Sequence, residues 1–106
     1  MSAAAVISAL ANNEGPIEVV GSGALADNVR RLLAERVRRT LPDIRPATII
    51  ETTGEADALL AALERVEDLG TVVLAGPVPN RPLAVDLYAD LHVRGLVLLG
   101  VPPETI

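Results

Sequence analysis

Ile17-Glu18-Val19-Val20 is a short β-branched run that breaks directly into Gly21-Ser22-Gly23 and continues as Ala24-Leu25-Ala26, the opening of an amphipathic helix. A buried strand handed to a helix through two glycines one residue apart leaves few folds open. Such a strand cannot turn back on its successor as a hairpin. It needs a parallel neighbour, reached by a crossover over one face of the sheet. The first glycine permits the tight turn, and the second leaves bare backbone at a helix N-terminus, where N–H groups point outward.

The rest of the chain repeats this alternation. A helix is expected from Ala24 to Arg39, with Leu25, Val29, Leu32, Leu33 and Val37 as its apolar stripe and Arg30, Arg31, Arg38 and Arg39 mostly off it. That arginine-rich face admits two readings, an anion-binding surface or a solvated flank beside Asp27 and Glu35. Two prolines, Pro42 and Pro46, stop the helix. Ala47 to Glu51 reads as a second strand, followed by the loop Thr52-Thr53-Gly54, in which Thr53 is a candidate cap, and a helix from Glu55 to Glu67. Gly70 is expected to close that helix just past its end. Thr71 to Ala75 is a third strand, residues 76–82 form a proline-rich loop, and a short helix is expected from Ala84 to Val93 with Leu87, Tyr88 and Leu91 inward. Leu96 to Leu99 is a fourth strand, and an N-terminal helix is expected over 3–12. The fold class is therefore α/β, a single domain over 1–106 with a parallel sheet of about four strands, three connecting helices and an N-terminal helix.

Composition narrows the functions such a sheet can carry. Half the residues are hydrophobic but aromatics are 1%, so the core is built from Ala, Val, Leu and Ile, and Tyr88 alone cannot supply a base-stacking platform. The net charge of −5 argues against a general nucleic-acid binder, although all nine cations are arginine. With no cysteine, disulfides, thiolate chemistry and Cys-ligated zinc are excluded. The apolar run over 3–11 is too short to span a bilayer and has no preceding positive charge, so a cytoplasmic protein is expected.

The motif at the first turn is Gly-x-Gly-x-x-Ala, at Gly21, Gly23 and Ala26. In its complete form this pattern holds the pyrophosphate of a dinucleotide, with an acidic residue about 20 positions on for the ribose. Asp43 has roughly that spacing but sits between prolines in an expected loop. Phosphate or nucleotide binding and a purely structural βα turn both remain open. Elsewhere, His92 lies four residues after Tyr88, within reach for a proton-moving pair or a plain packing contact. Glu51 ends its strand at the carboxyl side of the sheet, where it can bond a ribose or orient its own loop. Ser22 has no base nearby in sequence. No catalytic residue and no metal ligand set is identified.

From Thr48 onward the sequence resembles the nucleotide-binding domain of the medium-chain dehydrogenase/reductase family, the zinc-type alcohol dehydrogenases. The pieces are Ile49-Ile50-Glu51-Thr52-Thr53-Gly54, Leu69 to Gly76, Asp86 to Leu96 and Leu98 to Val101, in the family's order, with the glycine turn matching its first βα unit. The resemblance implies a Rossmann-like sheet shortened by two strands, since only residues 40–46 separate the first helix from the Thr-Thr-Gly strand. The family strand that bears the ribose-binding acid has no counterpart. The separate domain with the zinc ligands has none either. What remains corresponds to the first, fourth, fifth and sixth strands of the parent sheet, all stepping one way. Right-handed crossovers would then put every connecting helix on one face and leave the other bare. A second copy of the chain is the expected cover. The alternative is that the arginine-rich helix keeps its ancestral side, through a left-handed connection or a rearranged strand order. The family also pairs through its last strand, here Leu96 to Leu99, so a homodimer is expected on two grounds.

The resemblance implies a ligand cleft at Gly21, Ser22, Gly23, Ala24 and Leu25, facing Glu51, Thr52, Thr53, Gly54, Gly76 and Pro77. NAD or NADP is the implied cofactor, weakened by the missing acidic strand. The expected function is that of a non-catalytic dehydrogenase relative: a nucleotide-like ligand-binding module or an accessory subunit in a biosynthetic pathway. The alternatives are an NAD(P)-using oxidoreductase whose catalytic groups come from a partner chain, and a purely structural interaction protein.

Overall fold

Strands and helices alternate as the hydrophobic pattern requires. In a computed structural model, which describes residues 15–38, 44–76 and 83–101, four strands form one sheet. They are β1 (Ile17–Val20), β2 (Thr48–Glu51), β3 (Thr71–Leu74) and β4 (Val97–Gly100). The order is β1-β2-β3-β4 and every pair is parallel. Helix α1 (Ala24–Leu32) breaks at Leu33 and resumes as α2 (Ala34–Arg38), so the single helix expected here is two. Helix α3 (Ala56–Arg65) joins β2 to β3. The segment before β4 is a π-helical stretch over Leu87–His92, not the α-helix expected from Ala84. The expected N-terminal helix lies outside the described residues, as do Pro77, Asp43 and Arg39.

The register puts Val19, Ile50 and Val73 side by side on one face and Ile49 and Val72 on the other. The first face buries Ile17, Val19, Ile50 and Val73 against Ala26 and Val29, with Leu25, Leu33 and Val37 packed alongside. The second buries Ile49 and Val72 against Ala62, Leu63 and Val66, with Leu59, Leu60, Leu91 and Leu96 alongside. Thus α1 and α2 cover one face while α3 and the π-helical stretch cover the other. The bare face expected from uniform right-handed crossovers does not exist, and the need for a second copy to cover it falls with it. Three successive steps in one direction, with the first connection on the opposite face from the other two, require two different hands. The right-handed rule assigns the exceptional hand to the β1–β2 connection, which is the alternative allowed above.

The second face is locked to the chain beyond it by Arg94. Its Nη1 and Nη2 donate to the carbonyls of Leu63 and Val66 at the end of α3, and its Nε donates to Asp68 Oδ1 at 2.9 Å. Helix α3 does not end on a glycine. Leu69 takes the left-handed conformation, at φ +65°, while 81% exposed. Gly70 is glycine for a different reason, because a Cβ there would press on the Glu67 and Ala47 carbonyls. Leu87 and Tyr88, expected inward, are exposed, and Leu91 alone of the three packs against the core.

A leucine in the left-handed region costs about 1–2 kcal/mol relative to its ordinary backbone. Because Leu69 buries little, Leu69→Gly is expected to raise stability by about 0.5–1 kcal/mol, whereas Leu69→Ala keeps the strain and gains nothing. Thermal unfolding of the two variants checks this, and a Gly variant less stable than the Ala variant contradicts it.

Candidate functional site

The carboxyl ends of β1, β2 and β3 meet at Thr52. Its backbone N–H donates to Val20 O at 3.0 Å and its hydroxyl donates to the same oxygen at 2.7 Å, tying the loop after β2 to the end of β1. Gly21, at φ +115°, lies against this side chain, and a Cβ there would overlap the Thr52 hydroxyl. A Cβ on Gly76 would run into the Thr52 carbonyl. Two of the cleft glycines are therefore glycine because Thr52 occupies the space beside them.

Glu51 lies directly beneath, with 1% of its surface exposed. Its Oε1 accepts from the Thr53 N–H at 2.7 Å and from the Thr53 hydroxyl, and Oε2 accepts from the Gly54 N–H at 2.9 Å. Three donors converge on one buried carboxylate, the usual way a charge without a counter-ion is tolerated inside a protein. Of the two roles open to Glu51, loop orientation is the one these hydrogen bonds serve, with three of the carboxylate's roughly four acceptor positions taken by its own loop. Thr53 does not cap α3 directly. Its hydroxyl accepts from the Glu55 N–H at 3.1 Å, and Glu55, the residue flanking the helix, makes no side-chain cap.

The glycine turn itself remains open. Ser22, Gly23 and Ala24 are exposed, Gly23 has φ +102°, and a Cβ on it would meet nothing within 4 Å. Gly23 flanks α1 without a side-chain cap, so among the described residues no side chain claims the first N–H groups of the helix. Behind the turn stands Arg30, whose Nη2 donates to Val19 O at 3.0 Å and to Gly21 O at 2.6 Å, with Asp27 3.7 Å from Nη1. The sequence reading assigned Arg30 to an anion-binding or solvated face. No local pattern sets Arg30 apart from the other arginines of that flank, because its partners lie nine and eleven residues away. Leu25 is partly buried against the core and presents no polar group. His92 and Tyr88 do touch, stacked at 5.6 Å, but on an exposed surface of the π-helical stretch remote in sequence from the turn. Among the described residues there is no cluster able to hold a metal ion, and no helix is long and apolar enough to cross a membrane.

No family model matches the chain. It is 29% identical over 104 residues to the L-threonine 3-dehydrogenase of Symbiobacterium thermophilum, a match covering 95% of this chain and 29% of that protein. Its fold matches the crystal structure of an alcohol dehydrogenase zinc-binding domain protein from Burkholderia ambifaria with a TM-score of 0.68 at 18% identity. That match covers 93% of this chain and 37% of the other. The chain thus spans less than a third of the curated relative it matches. The sequence resembles a zinc-type dehydrogenase, and the four-stranded parallel sheet fits a shortened Rossmann-like fold.

Two substitutions separate the packed part of this site from the open part. Glu51→Gln places an amide N–H against a backbone donor and is expected to cost about 1–3 kcal/mol. Gly21→Ala combines left-handed strain with displacement of the Thr52 side chain and is expected to cost about 2–4 kcal/mol, against about 1–2 kcal/mol for Gly23→Ala, where strain acts alone. Chemical denaturation of the three variants tests the ranking; equal costs at Gly21 and Gly23 would contradict the packing described.

Proposed function

We propose that this chain is a non-catalytic dehydrogenase relative that binds a phosphate-bearing, nucleotide-like ligand at the glycine turn, as a module or accessory subunit in a biosynthetic pathway in the cytoplasm. The observation that carries the reading is the state of Gly23. It is exposed, left-handed, unobstructed and at the uncapped N-terminus of α1, which is what backbone recognition of a phosphate requires. The binding residues under this reading are Ser22, Gly23, Ala24 and Leu25, with Gly21, Thr52 and Gly76 shaping the floor and Glu51 holding Thr53 and Gly54 in place. NAD and NADP are the first ligands to try.

A second reading, a structural interaction protein with a vestigial cleft, draws on specific features too. Glu51 is committed to its own loop, and Asp27 puts a negative charge in the first turn of α1.

A homodimer belongs to the proposal. With both sheet faces covered, its support is the edge strand β4, where Val97 and Leu98 are exposed. Alternation along the ladder turns the main-chain groups of Leu98 and Gly100 away from β3.

The test is thermal unfolding in the presence of NAD(H), NADP(H) and ADP-ribose. A ligand that binds only the folded chain adds about 2.7 kcal/mol at about a hundred times its Kd, which raises Tm by roughly 10 °C or more for a domain of this size. Gly23→Leu is expected to abolish the shift while leaving the chain folded. Absence of a shift with all three ligands at millimolar concentration favours the structural reading.

A further inference from the structure

The arginines of α1 and α2 do something the ligand reading does not use. The carbonyls of Pro16, just before β1, and of Val20 accept from Ala47, Thr48 and Thr52 on the β2 side. The alternation of a parallel strand therefore turns the carbonyls of Gly15, Ile17, Val19 and Gly21 the other way, out of the sheet. β1 is an edge strand, and no described strand receives the carbonyls of Gly15, Val19 and Gly21. An edge of this kind is a template for strand addition. Here, however, Arg30 Nη2 bridges Val19 O and Gly21 O at 3.0 and 2.6 Å, and Arg36 Nε donates to Gly15 O at 3.0 Å. The opposite edge has no such cover: among the described residues no side chain bonds the outward groups of Leu98 and Gly100.

We propose that Arg30 and Arg36 seal the outer edge of β1 against strand addition by a second copy of this chain. A guanidinium suits the task because one nitrogen, Arg30 Nη2, carries two N–H donors and reaches both carbonyls, and the group stays charged at any physiological pH. The occupant that is barred follows from the topology. All four strands run parallel, so an open β1 would accept the β4 edge of another copy in the same sense, and that copy would offer its own β1 to a third. Such a head-to-tail contact does not close and propagates as a filament. The seal leaves β4 as the edge available for pairing. The two arginines contribute unequally, since Arg36 Nη2 is buried without a hydrogen-bond partner while Arg30 holds two carbonyls.

Sedimentation velocity over a range of concentrations, with circular dichroism to confirm folding, tests this on the full chain. Arg30→Ala/Arg36→Ala is expected to form species that grow continuously with concentration where the unsubstituted chain does not, with Arg30→Ala alone giving most of the effect. The double change moves the net charge of −5 further from zero, so added charge repulsion opposes the expected result and cannot produce it. A folded double variant that sediments like the unsubstituted chain overturns the proposal. Should the double variant not fold, nuclear magnetic resonance of the unsubstituted chain decides. The guanidinium protons of Arg30 and Arg36 are expected to exchange about tenfold more slowly than those of exposed Arg31. Equal rates overturn the seal.

Discussion

A parallel sheet of valine and isoleucine is stable only when both of its faces are kept from water. In this chain that requirement decides the topology. One face presents Ile17, Val19, Ile50 and Val73 to α1 and α2, and burying four such side chains is worth about 6–12 kcal/mol, the whole net stability of an ordinary domain. Three crossovers of the usual hand would have left one face wet. A connection of the exceptional hand between β1 and β2 costs less than that, and the chain takes it. The strand order has its own consequence at the glycine turn. β1 stands first in the order, so the strand that carries the turn is also an edge strand.

The arginines answer that arrangement. Arg30 and Arg36 bond the carbonyls of Val19, Gly21 and Gly15 along the outer side of β1, Arg45 donates to Glu64 O on α3, and Arg94 grips Leu63 O and Val66 O where α3 ends. In a chain with no lysine these cations act as main-chain binders, and at Arg94 the forked guanidinium holds the carbonyls of Leu63 and Val66 at once. Only the pairings of Arg65 with Glu18 at 2.5 Å and of Arg94 with Asp68 at 2.9 Å are close ion pairs among those described, and the latter partner is largely solvent-exposed. Exposed pairs of this kind contribute little.

At the carboxyl end of the sheet, packing and binding are divided between neighbouring residues. Thr52 fills the space beside Gly21 and Gly76, and Glu51 draws Thr53 and Gly54 down onto itself. The floor of the cleft is therefore rigid and already satisfied in hydrogen bonds. What stays open is the rim, Ser22 to Ala24, where the helix starts without a cap. A ligand here would be read mainly by backbone N–H groups, which recognise a phosphate and say little about the rest of the molecule.

The sequence by itself determined the strands and their order along the chain. Continuous β-branched runs such as Ile49-Ile50 and Val72-Val73, bounded by glycines and prolines, suit strands covered on both faces, and the boundaries of β1 are those the pattern gives. It also determined the glycine turn, because Gly21 and Gly23 adopt backbone conformations other residues resist. Only the tertiary structure decided which face α1 covers, because the hand of a crossover depends on where the rest of the apolar surface needs shelter. The role of Arg30 was likewise hidden, since nothing local marks one arginine of a polar flank as the partner of a distant carbonyl. Leu69 in place of an expected glycine, and Leu87 and Tyr88 turned outward, have the same origin. Helical period alone cannot show that a segment winds as a π-helix, and it is Arg94 and Leu91, held by contacts remote in sequence, that set how that segment sits on the sheet.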